Sequence, residues 1–413
     1  MALEIAARCR ELFATLARSA HGEAFHATSS AAPDVIHASS SAYHALALAQ
    51  LDPARAVAEL GAVFRTCQRP DGVLVRARLL PDARAPGDPS DPTLAAASDG
   101  RSALIDPPIA AYAAARLDRM GLLKSTELLE CAMRQLDAIW SERLPPDTAL
   151  PVILHPLESG APESVLFDPL LDSAPGDERA EQLASLARSA VACDLDPDRA
   201  IRAGHAFVVE DPSFCGWLLV ALEDVAAAWE RRGNTQATLK LRVRSVMIRE
   251  AIEERLWWDE EEIYTAFNRG RHEPLRGVSA AGLIPAASRS LLSEGSAKRA
   301  IDRNLRPAGS ALWGVRGIAL APASGARDGR EEVPARCVAP LAHYWAHLAL
   351  VRAGRVAEAR IARQQLEGLA DDQGMRERYD FVSGEGRGAG GGTGAGAGHT
   401  LVSLVLEMRA QES

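Results

Sequence analysis

Ser40-Ser41-Ala42-Tyr43-His44-Ala45-Leu46-Ala47-Leu48-Ala49-Gln50-Leu51-Asp52-Pro53-Ala54-Arg55-Ala56 reads as a helix, a tight turn and the start of a second helix. Apolar residues recur three and four apart up to Leu51, and Asp52-Pro53 then supplies a cap followed by proline at a first helical position. The second helix runs to Cys67. Helices joined by so short a turn lie side by side and antiparallel. The same unit recurs as 107–120 with 125–143, 212–232 with 234–256, 279–292 with 296–305, and 336–353 with 356–369. Residues 3–20, 177–191 and 400–408 add single helices, and only 73–76 and 262–267 have strand character. Roughly a dozen helices without β–α alternation predict an all-α fold. Consecutive antiparallel pairs fit a closed double ring or an open solenoid, and the absence of a fixed-period repeat counts against the solenoid. Irregular segments emerge after alternate helices, so they gather at one end of the ring and build a pocket there. We expect one domain over 1–413, with loop segments at 81–104, 160–176, 321–335 and 384–398.

The bulk composition narrows the function. The chain has 413 residues, 47% hydrophobic and 24% charged, with a net charge of −9. This acidic balance argues against nucleic acid, which requires a concentrated basic face. Six scattered cysteines without a C-x-x-C pair read as reduced, mostly buried thiols. No apolar run approaches the length a bilayer demands, and the N-terminus lacks a signal-peptide pattern, so the expected location is the cytoplasm and no membrane partner is expected.

Three apparent motifs have plainer readings. Gly384–Gly398 satisfies G-x-G-x-x-G but follows no strand, so it reads as a flexible loop and no dinucleotide cofactor is expected. His343 and His347 stand four apart on a helix without an H-E-x-x-H glutamate, which favours packing over a metal. Asp194-Leu195-Asp196-Pro197-Asp198 reads as a helix start. No metal and no cofactor is expected.

Carboxylates placed on two irregular segments point elsewhere. Glycoside hydrolysis needs one protonated and one ionised acid across a pocket. Glu158, Glu163 and Asp168 lie on one loop-like segment, and Glu377 lies on the connector Gly374-Met375-Arg376-Glu377-Arg378-Tyr379-Asp380. On spacing alone Glu377 also suits an ordinary solvated loop. Tryptophans supply sugar-facing walls in such sites, although most of the seven here fall in helices and read as core.

Four stretches in order carry a resemblance. They are His44-Ala45-Leu46-Ala47-Leu48 with Leu51-Asp52-Pro53 and Pro70-Asp71-Gly72; Pro107-Pro108-Ile109-Ala110-Ala111-Tyr112-Ala113; Leu154-His155-Pro156-Leu157-Glu158-Ser159-Gly160; and Glu377-Arg378-Tyr379-Asp380 with Ser383-Gly384-Glu385-Gly386. The set resembles the trehalase-like (α/α)6-barrel glycosidases, notably the branch of glycoside hydrolase family 63 that includes mannosylglycerate hydrolase. The resemblance implies an (α/α)6 barrel and inverting hydrolysis, with Glu377 as the base that activates water. It places the general acid at Pro162, which cannot donate a proton, so Glu163 is the adjacent substitute. It also implies substrate contacts from Glu158, Arg336, Tyr379, Asp168 and His155. The family's W-D, W of R-G-P-V-W and N of D-P-x-F-N are Ser39-Ser40, Pro340 and Cys215 here, and its closing E-N-Y reads Glu377-Arg378-Tyr379.

The expected function is therefore a glycoside hydrolase-like protein whose ligand is a small molecule, a glucoside, mannoside or glycosyl-glycerate. The alternative is a catalytically inactive relative that binds a ligand or partner, or a pocket turned to non-sugar chemistry such as a biosynthetic cyclisation. The sequence leaves the oligomeric state open.

Overall fold

The computed structural model describes residues 2–20, 23–27, 34–80, 93–94, 99–171, 177–322, 337–376, 378–381, 383–387 and 398–412. Its helices are α1 (Ala2–Leu16), α2 (Ala38–Leu48), α3 (Pro53–Cys67), α4 (Ile109–Arg119), α5 (Glu127–Glu142), α6 (Asp177–Ala192), α7 (Pro197–Arg202), α8 (Pro212–Arg231) and α9 (Thr235–Arg255). They continue with α10 (Arg289–Glu294), α11 (Ser296–Asn304), α12 (Pro340–Arg352), α13 (Val356–Gln373), α14 (Gly398–Leu401) and α15 (Val405–Gln411). The strands are short, and the largest sheet among the described residues has three.

The helices close into a ring of hairpins. Helix α2 packs on α4, α4 on α8, and α8 on the 3-10 turns Ala280–Leu283 and Pro285–Ala287. Those turns pack on α12, α12 on α15, and the last segment returns to α2. Outside these six lie α3, α5, α9, α11, α13 and α1, the last fixed by Arg8 Nη1, which donates to Ala370 O at 3.1 Å. This is the (α/α)6 barrel that the family resemblance implies, and the closed form of the ring that the pairing allows. Burial follows the layer. Residues 341–350 of α12 are almost all buried, as a helix apolar all round must be, whereas α5 and α9 bury one face.

The sequence expectation fails at two places. Residues 279–292 do not form one helix, because Gly282 approaches Tyr264 O so closely that a Cβ would lie 2.2 Å from it, and Pro285 cannot donate within a helix. Gly216 permits this contact from the other side, since a Cβ there would lie 2.7 Å from Pro285 N. Helix 3–20 ends at Leu16, and Ala17–Ala20 instead pairs antiparallel with Glu23–His26.

The two ends of the ring differ. Inner helices pass to outer ones through the short turns 49–52, 120–126, 232–234 and 353–355. The long connections, 68–108, 143–211, 256–279 and 305–339, all enter the first turns of inner elements. The loops therefore gather at the inner helices' N-terminal ends, where the helix dipoles are positive.

Between the ends, aromatic rings from four inner helices fill the axis. Tyr43 of α2 meets Trp217 of α8 at 6.3 Å and Tyr344 of α12 at 5.7 Å between ring centroids. Tyr112 of α4 lies 5.2 Å from Trp217, and its hydroxyl is 3.2 Å from that of Tyr344. Trp345 Nε1 donates to Tyr43 Oη at 3.2 Å, and all five rings are buried.

Candidate active site

Loops at the N-terminal end are stitched into a circuit. Ser164 Oγ lies 3.3 Å from Ser279 Oγ, and Ala280 N and Ser279 Oγ both donate to Leu320 O, at 2.8 and 3.2 Å. Ala339 N donates to Ile318 O at 3.2 Å, while Val338 and Tyr379 exchange both backbone bonds at 2.8 and 3.0 Å. Arg378 Nη2 then donates to Glu163 Oε1 at 2.7 Å and closes the circuit. This contact brings together the two segments that sequence reasoning singles out.

Glu163 is partly open, with 39% of its side chain exposed. It follows Gly160, which ends the turn Pro156–Ser159 in the left-handed region at φ 73°. Glu377 and Arg336 lie outside the described residues. The expected loops at 81–104, 321–335 and 384–398 also lie mostly outside them, whereas 160–176 contains a defined 3-10 turn, Val165–Phe167, capped by Ser164.

Three of the remaining candidates, Glu158, His155 and Tyr379, are bonded within the protein itself. Glu158 is fully buried; Oε1 accepts from Arg143 Nη2 at 2.7 Å and Ile105 N at 3.1 Å, and Oε2 from Leu154 N at 2.7 Å. These bonds fasten the loop to the segments at Ile105 and Arg143. His155 is buried, with Nδ1 accepting from Leu157 N at 3.1 Å and Nε2 3.0 Å from Leu183 O. Tyr379 is buried too; its hydroxyl donates to Gly374 O at 2.9 Å and accepts from Arg376 N at 3.2 Å, and burial pushes it up to about 12. Asp168, which ends the turn Val165–Phe167, is open to solvent, yet crowding at its carboxyl raises it above the ordinary range while Arg179 opposes the shift.

Sequence reasoning missed a second carboxyl. Asp211 caps α8, its Oδ2 accepting from Phe214 N at 2.8 Å. The residue is fully buried, and Asp211 Oδ1 and Ser213 Oγ have no partner among the described residues. Burial pushes this carboxyl up to about 7, against the helix-start N–H groups that lower it. Asp211-Pro212 announces a cap, but nothing local announces burial. Asp106 also lies buried at this end, accepting from Ser39 N at 2.9 Å.

His343 and His347 are packing residues. His343 Nε2 accepts from Ile318 N at 3.2 Å, so Nδ1 carries the proton donated to Ala339 O at 3.1 Å, and burial lowers the ring to about 4. His347 Nε2 lies 3.3 Å from Glu412 Oε1. Among the described residues no group of three His, Cys, Asp or Glu side chains could hold a metal ion, and no helix is long and apolar enough to cross a membrane. No disulfide joins the six cysteines, and five of them are buried.

Residues 33–321 match the family model described as the mannosylglycerate hydrolase MGH1-like glycoside hydrolase domain. The chain belongs to this family. Among solved structures, the family 63 mannosylglycerate hydrolase of Thermus thermophilus in complex with glucose has 21% identity and a TM-score of 0.79, over 98% of this chain and 99% of that one. The same enzyme with Tris and D-glycerate gives a TM-score of 0.76 at 21% identity over the same shares. Neutral trehalase of Saccharomyces cerevisiae has 16% identity and a TM-score of 0.56, over 94% of this chain and 74% of that one. No curated protein matches the sequence significantly. The MGH1-like family assignment and these neighbours give the chain a glycoside hydrolase scaffold.

Proposed function

We propose that this MGH1-like chain is an inverting glycosidase acting on a small α-glucoside, α-mannoside or glycosyl-glycerate. Glu377 activates water and Glu163 serves as the displaced acid. The observation that carries the reading is the 2.7 Å bond from Arg378 to Glu163, which joins the acid's loop to the chain neighbour of the base. Both partners are departures from the family pattern: Glu163 follows Pro162 at the acid's place, and Arg378 stands at the Asn of E-N-Y. The two substitutions meet.

That contact shapes the mechanism. An acid catalyst must hold a proton before the leaving group departs. Glu163 bound to a guanidinium is a carboxylate, so Arg378 has to exchange partners when substrate arrives. A glycosyl-glycerate brings its own carboxylate, which matches the guanidinium fork. Arg378 then grips the aglycone, Glu163 takes up a proton and passes it to the glycosidic oxygen, and water activated by Glu377 attacks from the other face. The T. thermophilus enzyme's complex with D-glycerate supports a small acidic ligand here.

The same ion pair favours one other reading, a ligand-binding protein without turnover in which Arg378 and Glu163 never part. Purified protein incubated with glucosyl- and mannosyl-glycerate and with neutral α-glycosides, beside Glu377→Gln and Glu163→Gln, separates the two. Turnover to the inverted anomer, followed by proton NMR and lost in both variants, supports hydrolysis. Turnover no greater than that of the variants removes it.

A further inference from the structure

The opposite end of the ring holds a recess that no hydrolytic step uses. It encloses about 470 Å³ among the last turns of α4, α8 and α12, the first turn of α10 and the end of α15. That volume falls within the usual range for small-molecule sites. Five arginines line it (Arg116, Arg119, Arg231, Arg289 and Arg352) with one carboxylate, Asp224. In a chain of net charge −9 this concentration of like charge is local and directed.

Four of the five are matched. Arg116 Nε donates to Glu407 Oε1 at 2.7 Å. Asp224 is shared, accepting from Arg289 Nη1 at 2.8 Å and from Arg352. Arg231 is held by Asp118 at 2.9 Å, but Arg232 also holds that carboxylate, at 2.7 Å, so Arg231 is the dispensable partner. Arg119 is exposed and has no hydrogen-bond or ion-pair partner among the described residues. Partial burial and the guanidinium groups of Arg116, Arg289 and Arg352 push it below its ordinary value, although Asp224 opposes them. Basic residues in the last turn of a helix ordinarily answer its dipole. That accounts for cations at these helix ends; it does not account for their convergence on one cavity with one of them unmatched.

From this geometry we infer that the recess is a binding site for a small phosphate-type oxyanion, inorganic phosphate or a phosphate ester. Planar guanidinium forks arranged around a cavity suit the several oxygens of such a group, and Arg119 and Arg231 have donors to give. Arg289 stays in place through Asp224, with 47% of its side chain exposed. The floor of the recess includes Tyr112, whose ring lies 5.9 Å from the Arg352 guanidinium and whose hydroxyl meets Tyr344 in the axial cluster. A ligand here is therefore one aromatic layer away from the loop end.

The test is calorimetric titration of the full chain with pyrophosphate and with inorganic phosphate, ionic strength held constant with potassium chloride. Saturable binding is expected, weakened about ten- to a hundredfold in Arg119→Gln and again in Arg231→Gln. Neither change leaves a buried carboxylate unmatched, and thermal melting confirms that both variants fold. Glu377→Gln is expected to bind the anion as the parent does. The proposal is overturned by absence of saturable binding, by equal affinity in folded Arg119→Gln, or by loss in Glu377→Gln alone, which would place the anion at the loop end.

Discussion

The imidazole Nε2 of His44 lies 2.7 Å from Thr400 Oγ1, although 356 residues separate them. His44 belongs to the first inner helix and Thr400 to the last segment, so this buried bond helps to close the ring on itself. Thr400→Val preserves the shape and leaves the imidazole unsatisfied. A loss of about 1–3 kcal/mol is expected in urea denaturation, together with faster amide exchange over residues 400–408. An unchanged midpoint would show that closure rests on packing alone.

The ion pair between Arg143 and Glu158 is buried on both sides, at 4% and 0% side-chain exposure. Removing one member of such a pair strands the other. Glu158→Ala is expected to cost about 3–5 kcal/mol of stability, read by chemical denaturation. If Glu158→Ala instead keeps parental stability and weakens substrate alone, Glu158 is a ligand contact after all.

Arg378 gives a kinetic prediction. Arg378→Gln should raise KM for a glycosyl-glycerate about tenfold or more while changing KM for a neutral α-glycoside little, because only the acidic aglycone has a carboxylate to offer. Equal effects on both substrates would leave the partner exchange without support.

Two buried groups set opposite pH dependences. Asp211 is pushed from 3.8 to about 7 in the fold. Between those values the native state keeps a proton the unfolded chain has lost, so this contribution is present at low pH and is lost as pH rises, by up to about 4 kcal/mol. His343 is lowered from 6.5 to about 4. Its contribution is present above 6.5 and is lost as pH falls towards 4, by up to about 3 kcal/mol. The wild type should therefore be flat between pH 4.5 and 6.5. Asp211→Asn, which keeps a good cap, should gain relative stability as pH rises to 7 and become acid-sensitive below 6.5. Parallel curves for the two proteins would contradict the assignment of Asp211.

Much of the ring is legible in the sequence because pairing is local. Asp52-Pro53 marks the boundary of α3 at the residue where it falls, and Asp52 Oδ1 accepts from Arg55 N as a cap should. What escapes is non-local. Residues 279–292 carry a helical pattern, but Tyr264 and α8 press on Gly282 and Pro285 and break it. Ala17–Ala20 extends a helical pattern in sequence, yet pairs with Glu23–His26. At the candidate site, the motif around His155 and Glu158 marks a loop without saying that both side chains are buried in it. The meeting of Glu163 with Arg378 spans 215 residues, beyond the reach of any local signal.

The rings of Tyr43, Tyr112, Trp217, Tyr344 and Trp345 meet across the axis and close the barrel's waist. If the proposed hydrolysis takes place at the loop end, substrate, water and both products must all enter and depart there. On that reading an added sugar product should slow turnover by occupying the exit that the next substrate needs.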